Sequence, residues 1–273
     1  MTAELTWRDA AAAAEKATRR SGVTVRELRG VAECVAAEEM LADVWGAPRD
    51  APPIPADLLT SWLHCGGCVL GAFIGDVGVG LTAGIAGAPG SDSLYSLIAA
   101  VTGEHAGRGI GMALKQTQRV WALERGATTI VWTFDPLVRR NAHFNLNRLG
   151  ARVTGYRKDF YPPMRDLVNR DDHTDRLVAT WHLAAPGPLS SNGEPGPRIL
   201  DHDDAGDPVV TGDPAGPVVL AWIPPDIEAM RRSDPAKAMR WRLAARAALD
   251  SSWAAGYRPA GVTAEGCYTL VRG

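Results

Sequence analysis

The stretch Gly107-Arg108-Gly109-Ile110-Gly111-Met112-Ala113-Leu114 carries the clearest chemistry in the chain. An apolar run, Leu94 to Val101, leads into it, and an amphipathic run, Gly109 to Arg125, leaves it. A strand, a glycine-rich turn and a helix N-terminus make an anion site. Unpaired N–H groups point outward there, and the helix dipole adds partial positive charge. Glycines let the backbone approach a phosphate with no Cβ in the way. The turn lacks the Lys-Ser/Thr of a P-loop. Its glycines fall at every second position, out of register with G-x-G-x-x-G. Plain turn geometry explains such glycines as well as a ligand does, so both readings stand at this point.

Titratable and amide side chains gather on either side of that turn. Asp135 follows the apolar run Thr129–Phe134, at the C-terminal end of a central strand, where sites in α/β sheets collect. Its alternative role is to cap the turn before Pro136. Tyr95, in the run before the turn, is either a site hydroxyl or a packing aromatic. Glu104 and His105 immediately precede the turn. A histidine there has a suitable pKa for a base, or is a solvated loop residue. Asn141 and Asn145 are spaced one helical turn apart and so are expected on one face, with His143 pointing elsewhere. Tyr156 and Tyr161 either border an acceptor pocket or pack. Cys65-Gly-Gly-Cys68 has C-x-x-C spacing beside His64, but no second pair completes a tetrahedral zinc set, and no metal is expected.

The elements that must position these groups follow from periodicity and punctuation. The sequence predicts a leading alanine-rich helix, a strand over 23–28, helices over 30–45 and 56–63, and strands over 68–74, 77–85 and 94–101. After the glycine turn come a helix to about 125, a strand over 129–134, a helix over 139–149 closed by Gly150, and strands over 153–160 and 176–183. The Gly/Ala-rich run 77–85 suits a strand approached closely by another backbone. A segment rich in Pro, Gly, Asp and Ser spans 186–217 and reads as a linker or long surface connection, with Ile199-Leu200 and Val209-Val210 as local pins. Beyond it, a strand, a long helix over 235–255 and a hairpin around Glu265-Gly266 give a β-α-β-β tail. The reading is therefore α/β (α+β): residues 1–185 as one domain around a mixed central sheet, a linker at 186–217, and an extension at 218–273 packed on the first domain. With 29 basic and 31 acidic residues, the net charge of -2 argues against nucleic acid or an anionic membrane as the main partner. No signal peptide and no apolar run of ~18 residues is found, so a soluble, cytoplasmic protein is expected.

In this order of elements, the turn Ala106-Gly107-Arg108-Gly109-Ile110-Gly111 falls in the register of Q/R-x-x-G-x-G/A, and the chain resembles the GNAT acetyltransferase superfamily over about 23–183. Trp132-Thr133-Phe134-Asp135-Pro136-Leu137, Arg140-Asn141-Ala142-His143-Phe144-Asn145-Leu146, Thr174-Asp175-Arg176-Leu177 and Trp241-Arg242-Leu243-Ala244 are similar to a bacterial branch with a C-terminal extension. The resemblance implies acetyl-CoA as co-substrate, held in a cleft where the strands 94–101 and 129–134 splay. It implies a pantetheine arm along Ala99, Ala100 and Val101, with a backbone amide near Ala99 or Ala100 as oxyanion donor. The diphosphate would lie on Gly107, Arg108, Gly109, Ile110, Gly111 and Met112, with Asn141 and Asn145 against the cofactor. It implies transfer of the acetyl group to a primary amine, on a small molecule or a peptide, by direct attack on the thioester, and a homodimer as one arrangement. Ala106 replaces the usual Arg or Gln of the motif, Leu146 stands where a general-acid tyrosine is common, Leu97 where the branch has a histidine, and Gly103 where a loop proline is usual. Asp135, Tyr95 and Glu104 are then the candidate catalytic residues. The alternative is a GNAT-fold protein that holds acyl-CoA and has lost its acid/base residues. A dinucleotide-dependent enzyme is disfavoured by the glycine spacing.

Overall fold

The computed structural model describes residues 3–164, 166–170, 172–184 and 195–273. The chain divides into two compact units, Met1–Trp132 with His182–Ala185, and Thr133–Trp181 with Pro186–Gly273.

Unit 1 is a mixed sheet with helices on both faces. In chain order it holds α1 (Ala3–Ser21), β1 (Thr24–Glu27), α2 (Gly30–Trp45), α3 (Ala56–His64), β2 (Cys68–Ile74), β3 (Val77–Ala86), β4 (Ser93–Val101), α4 (Ile110–Glu124) and the first four residues of β5 (Thr129–Phe134). Strands β1 to β4 are antiparallel neighbours in sequence order, and β5 joins β4 in parallel. The β2–β3 hairpin turns at Gly75, whose φ of +58° needs no Cβ there. One face carries Cys34 and Leu41 of α2 and Leu59 of α3 against Val69, Phe73, Leu81, Ala83 and Ala100. The other carries Ile110, Ala113 and Leu114 of α4 against Ala72 and Val79, with Val101 alongside. Ile110 and Leu114 are fully buried, each worth roughly 1.5–3 kcal/mol, so the first turn of α4 is fixed to the sheet.

The glycines of β3 have a specific cause. A Cβ on Gly80 would stand 2.9 Å from the Ala100 carbonyl oxygen, and one on Gly84 3.1 Å from that of Tyr95. The expected close approach is thus to β4. Between these positions Ala83 pairs with Ile98 and Gly84 with Ser96, so Leu97 is an extra residue, a β-bulge in the middle of β4.

Unit 2 holds the end of β5, α5 (Arg139–His143), β6 (Arg152–Arg157), β7 (Arg176–His182, its last residue in unit 1), β8 (Arg198–His202), β9 (Pro208–Val210), β10 (Val218–Trp222), α6 (Ile227–Ser233), α7 (Pro235–Ala254), β11 (Tyr257–Val262) and β12 (Cys267–Arg272). A five-stranded sheet runs β11-β12-β10-β8-β9, and β6 pairs antiparallel with β7. Two differences from the sequence reading stand out. The helix over 139–149 is α-helical only to His143. A widened turn over Phe144–Arg148 follows, with the Leu149 N–H donating five residues back to Phe144 O at 2.9 Å. The segment read as linker contains β8 and β9, pinned by Ile199 and Leu200, both buried, while residues 186–194 lie outside the described residues. The long helix starts as expected: Asp234 caps it by accepting from the Lys237 N–H at 2.9 Å, with Pro235 in the first turn. Among the described residues no helix is long and apolar enough to cross a membrane.

Candidate functional site

The glycine turn is built as an open row of donors. Gly107 and Gly109 have φ of +77° and +85°, conformations that glycine adopts without strain. A Cβ on Gly107 would meet nothing within 4 Å. Ala106 through Gly109 are exposed, and Ile110 closes the turn into the core. The amides of Met112 and Ala113 donate to Gly109 O at 3.1 and 3.2 Å. Among the described residues, nothing accepts from the amides of residues 107 to 111, and no side chain caps α4. These N–H groups, with the dipole of α4 behind them, suit a multiply charged anion. Arg108 is exposed beside them.

Strand β4 leads into this turn with one edge free. It pairs with β5 only at Ser93↔Thr129, Leu94↔Ile130 and Tyr95↔Val131. It then continues to Val101 against β3 alone. From Ser96 onward its other edge lacks a strand partner within unit 1, among the described residues. Ala99 is exposed, Ala100 buried and Val101 half-buried along that edge. An extended chain bearing amides can bond to such an edge as an added strand would.

Where β4 and β5 part, Tyr95 and Ser96 point to opposite faces of the sheet. Tyr95 is half-buried, opposite Ile85 of β3. Ser96 is buried, and its Oγ accepts from Lys115 Nζ of α4 at 3.0 Å. Lys115 also donates to Gln118 Oε1 at 2.7 Å and lies 4.2 Å from the centre of the Trp132 ring. Burial pulls its ammonium down to about 7. The Cys68 thiol is itself pushed up to about 12 by burial, against a hydrogen bond from Gln118. Cys65, its C-x-x-C partner, is exposed, and both thiols are free. Cys65, Leu58, Ser61 and Trp62 with Ile85 and the bulged Leu97 line an apolar pocket of about 320 Å³ on the other face.

Glu104 lies in a short 3₁₀ turn, Gly103–His105, with its carboxylate in solvent 3.5 Å from His105 Nδ1. That nitrogen also meets Thr102 Oγ1 at 2.9 Å. Glu104 therefore borders the anion turn, at the far end of the free edge from Ser96.

Asp135, Asn141 and Asn145 belong to unit 2. Asp135 is buried, and its Oδ1 accepts from the Leu137 N–H at 2.9 Å, the turn cap before Pro136. Its Oδ2 accepts from Arg231 at 2.6 Å and from Arg242 at 2.7 Å. Asp172 Oδ2 takes further bonds from the same two guanidiniums, and Arg176 stands 3.9 Å from Asp135. Burial alone would raise the Asp135 carboxyl, but Arg242, Arg231 and Arg176 outweigh it and hold it well below the usual carboxylate range. A carboxylate so paired is a weak base and has no proton to give at neutral pH, which fits a structural anion. Asn141 is exposed and Asn145 buried, and the helix widens at Phe144 between them. Leu146 is buried, His143 is exposed, and Tyr156 donates its hydroxyl to Asp175 Oδ2 at 3.0 Å.

Sequence reasoning missed Ser96, Lys115 and the bulge at Leu97. Lys115 lies one position from the apolar stripe of α4, where a lysine reads as solvated. Its only signal is its company on that helix, Gln118 and Ala122 at spacings of three and seven.

No family model and no curated protein matches the sequence. Solved structures do match in chain path. An N-acetyltransferase from Staphylococcus aureus Mu50 is 14% identical with a TM-score of 0.49, covering 59% of this chain and 98% of that one. An acetyltransferase of the GNAT family from Streptococcus pneumoniae is 13% identical with a TM-score of 0.49, covering 59% and 98%. The protein yncA from Salmonella typhimurium, solved with its cofactor acetyl-CoA, is 16% identical with a TM-score of 0.48, covering 62% and 98%.

Proposed function

We propose that this chain is an acetyl-CoA-dependent N-acetyltransferase that passes the acetyl group to a primary amine. The observation that carries the reading is the edge of β4 past Tyr95, running into a turn whose amides, like that edge within unit 1, have no partner among the described residues. A diphosphate needs convergent donors and no Cβ, which Gly107 to Gly111 offer. A pantetheine arm carries amides that need an unpaired strand edge, which Ser96 to Val101 offers. Backbone amides of that edge, at the Leu97 bulge or at Ala99 and Ala100, would hold the thioester carbonyl and stabilise charge developing on its oxygen. The acceptor would enter as a neutral amine and attack the thioester carbon directly, so that positioning supplies much of the rate. The pocket of Leu58, Trp62, Ile85 and Leu97, with almost no polar lining, suits an acceptor with an apolar body.

Calorimetric titration with acetyl-CoA, CoA and NAD tests binding, and thiol release over a panel of apolar and polar primary amines tests turnover. Acetyl-CoA is expected to bind and NAD not to. Gly109→Asp is expected to weaken acetyl-CoA at least about tenfold. Gly109→Asn makes the same demand on the backbone without the charge, and is expected to weaken it less. Tight binding with no thiol release for any amine favours a non-catalytic acyl-CoA-binding protein.

A further inference from the structure

Ser96 is the first residue of β4 beyond its last pairing with β5, and it is 5% exposed. Its oxygen accepts from Lys115, so its own proton points elsewhere, and among the described residues nothing accepts it. Among the described residues Lys115 meets Ser96 Oγ, Gln118 Oε1 and the Trp132 face, and no carboxylate. A buried hydroxyl donor, polarised by an ammonium and left without an acceptor, is a costly arrangement unless something arrives to take its proton. From Val101 back to Ser96 is about 17 Å at the rise of a strand, close to the reach of an extended pantetheine arm anchored at the turn.

We propose that Ser96 and Lys115 are the acid of the reaction: the Ser96 hydroxyl protonates the departing CoA sulfur, and Lys115 resupplies Ser96. This rests on the acetyl-CoA reading. The acceptor nitrogen forms its bond to the carbonyl carbon, and the carbon–sulfur bond breaks with its electron pair going to sulfur. The proton on Ser96 Oγ moves to that sulfur, and one proton of Lys115 Nζ moves to Ser96 Oγ. The new amide nitrogen releases its extra proton to water, and the neutral Lys115 regains one from solvent before the next turnover. The products are amide and free thiol, with Ser96 and Lys115 restored. Ser96 touches the leaving group and is the catalytic residue, while Lys115 acts through it. The groups facing Lys115 are Gln118 on its own helix, Trp132 of β5 and the neutral Cys68 thiol of β2. Glu27 of β1 and Arg125 beyond α4 act on that thiol, and Glu27 also accepts from Trp121 Nε1 at 3.1 Å.

The test needs no knowledge of the acceptor. Thiolate absorbance of CoA is followed against pH as a difference spectrum with and without the protein, for the wild type, Ser96→Ala, Lys115→Met and Lys115→Arg. Acetyl-CoA binding is titrated on the same samples. Lys115→Met keeps the side-chain volume and removes a buried charge, so folding is retained. Arginine keeps its charge through the titration, so bound CoA thiol is expected to ionise about one pH unit lower in Lys115→Arg than in Lys115→Met, and lower in the wild type than in Ser96→Ala, which lacks the hydroxyl donor. Acetyl-CoA affinity is expected to agree within about threefold across all four. Equal thiol titrations in proteins that all bind acetyl-CoA overturn the relay and leave the binding reading intact. Failure of the wild type to bind either ligand overturns both.

Discussion

In unit 2, Asp135 and Asp172 share Arg231 and Arg242 at 2.6–3.2 Å, and all four are less than a tenth exposed. In unit 1, Lys115 is as deeply buried but meets a hydroxyl, an amide oxygen and an aromatic face. The first cluster closes on itself. Each carboxylate holds two guanidiniums, Asn169 accepts from Arg176 at 3.0 Å, and the Val168 carbonyl accepts from Arg231 at 3.0 Å. One orphan remains, Arg242 Nη1, which is buried without a partner among the described residues. The second cluster stays open, because among the described residues its charge has no counter-ion and its terminal hydroxyl no acceptor. Closed ionic networks position a fold, whereas an uncompensated charge beside a free strand edge is a cost that folding alone does not explain. The candidate named first from sequence, Asp135, belongs to the closed kind, and the one not named, Lys115, to the open kind.

The largest expected effect tests the closed cluster. Asp135→Ala leaves Arg231 and Arg242 short of a carboxylate in a buried site, and is expected to destabilise unit 2 by about 3–5 kcal/mol in denaturant unfolding. A loss below about 1 kcal/mol would remove the distinction between the clusters.

Next comes Lys115→Met, with the opposite sign. The folded ammonium lies at about 7 against 10.5 for the free group, so between those values the unfolded chain holds more protons and stability rises with pH. The penalty is largest below about pH 7 and is relieved toward pH 10. Lys115→Met is therefore expected to gain about 2 kcal/mol at pH 6 and close to nothing at pH 10, read from urea midpoints. For Asp135 the folded carboxyl lies below its ordinary value of 3.8, so its contribution is complete above that value and is lost on acidification below it. Acid unfolding of Asp135→Asn is expected to show a shallower dependence below pH 4 than the wild type. At the small end, Glu104→Gln changes stability by no more than about 0.5 kcal/mol, since that carboxylate is in solvent beside His105, and a larger change would contradict that exposure.

Much of this architecture is legible in the sequence, for reasons that can be named. Alternation and apolar runs locate β2 to β5, Gly75 marks their first hairpin, and Asp234-Pro235 marks the start of α7. The anion turn is legible because glycine spacing reports backbone conformation directly. The widened turn at Phe144 is not, because its residues keep ordinary helical composition. Strands β8 and β9 were hidden in a segment whose Pro and Gly content reads as linker, and two buried residues, Ile199 and Leu200, suffice to anchor them. The sequence offers Asp135 as a catalytic candidate or a turn cap and gives the stretches around Arg176 and Arg242 no role, and the structure joins the three in one buried ion cluster. That pairing spans up to 107 positions in sequence, beyond any local pattern. Lys115 was missed for the same reason: its partners Ser96 and Trp132 lie on two strands, and neither spacing nor composition ties them to it.

Backbone amide exchange, resolved to single residues with and without acetyl-CoA, tests the central claim most directly. The expected result is slowed exchange at residues 107–111 and along Leu97–Val101, with α7 and the β11–β12 hairpin unchanged. Saturating acetyl-CoA that leaves the amides of 107–111 exchanging as in the free protein would contradict it.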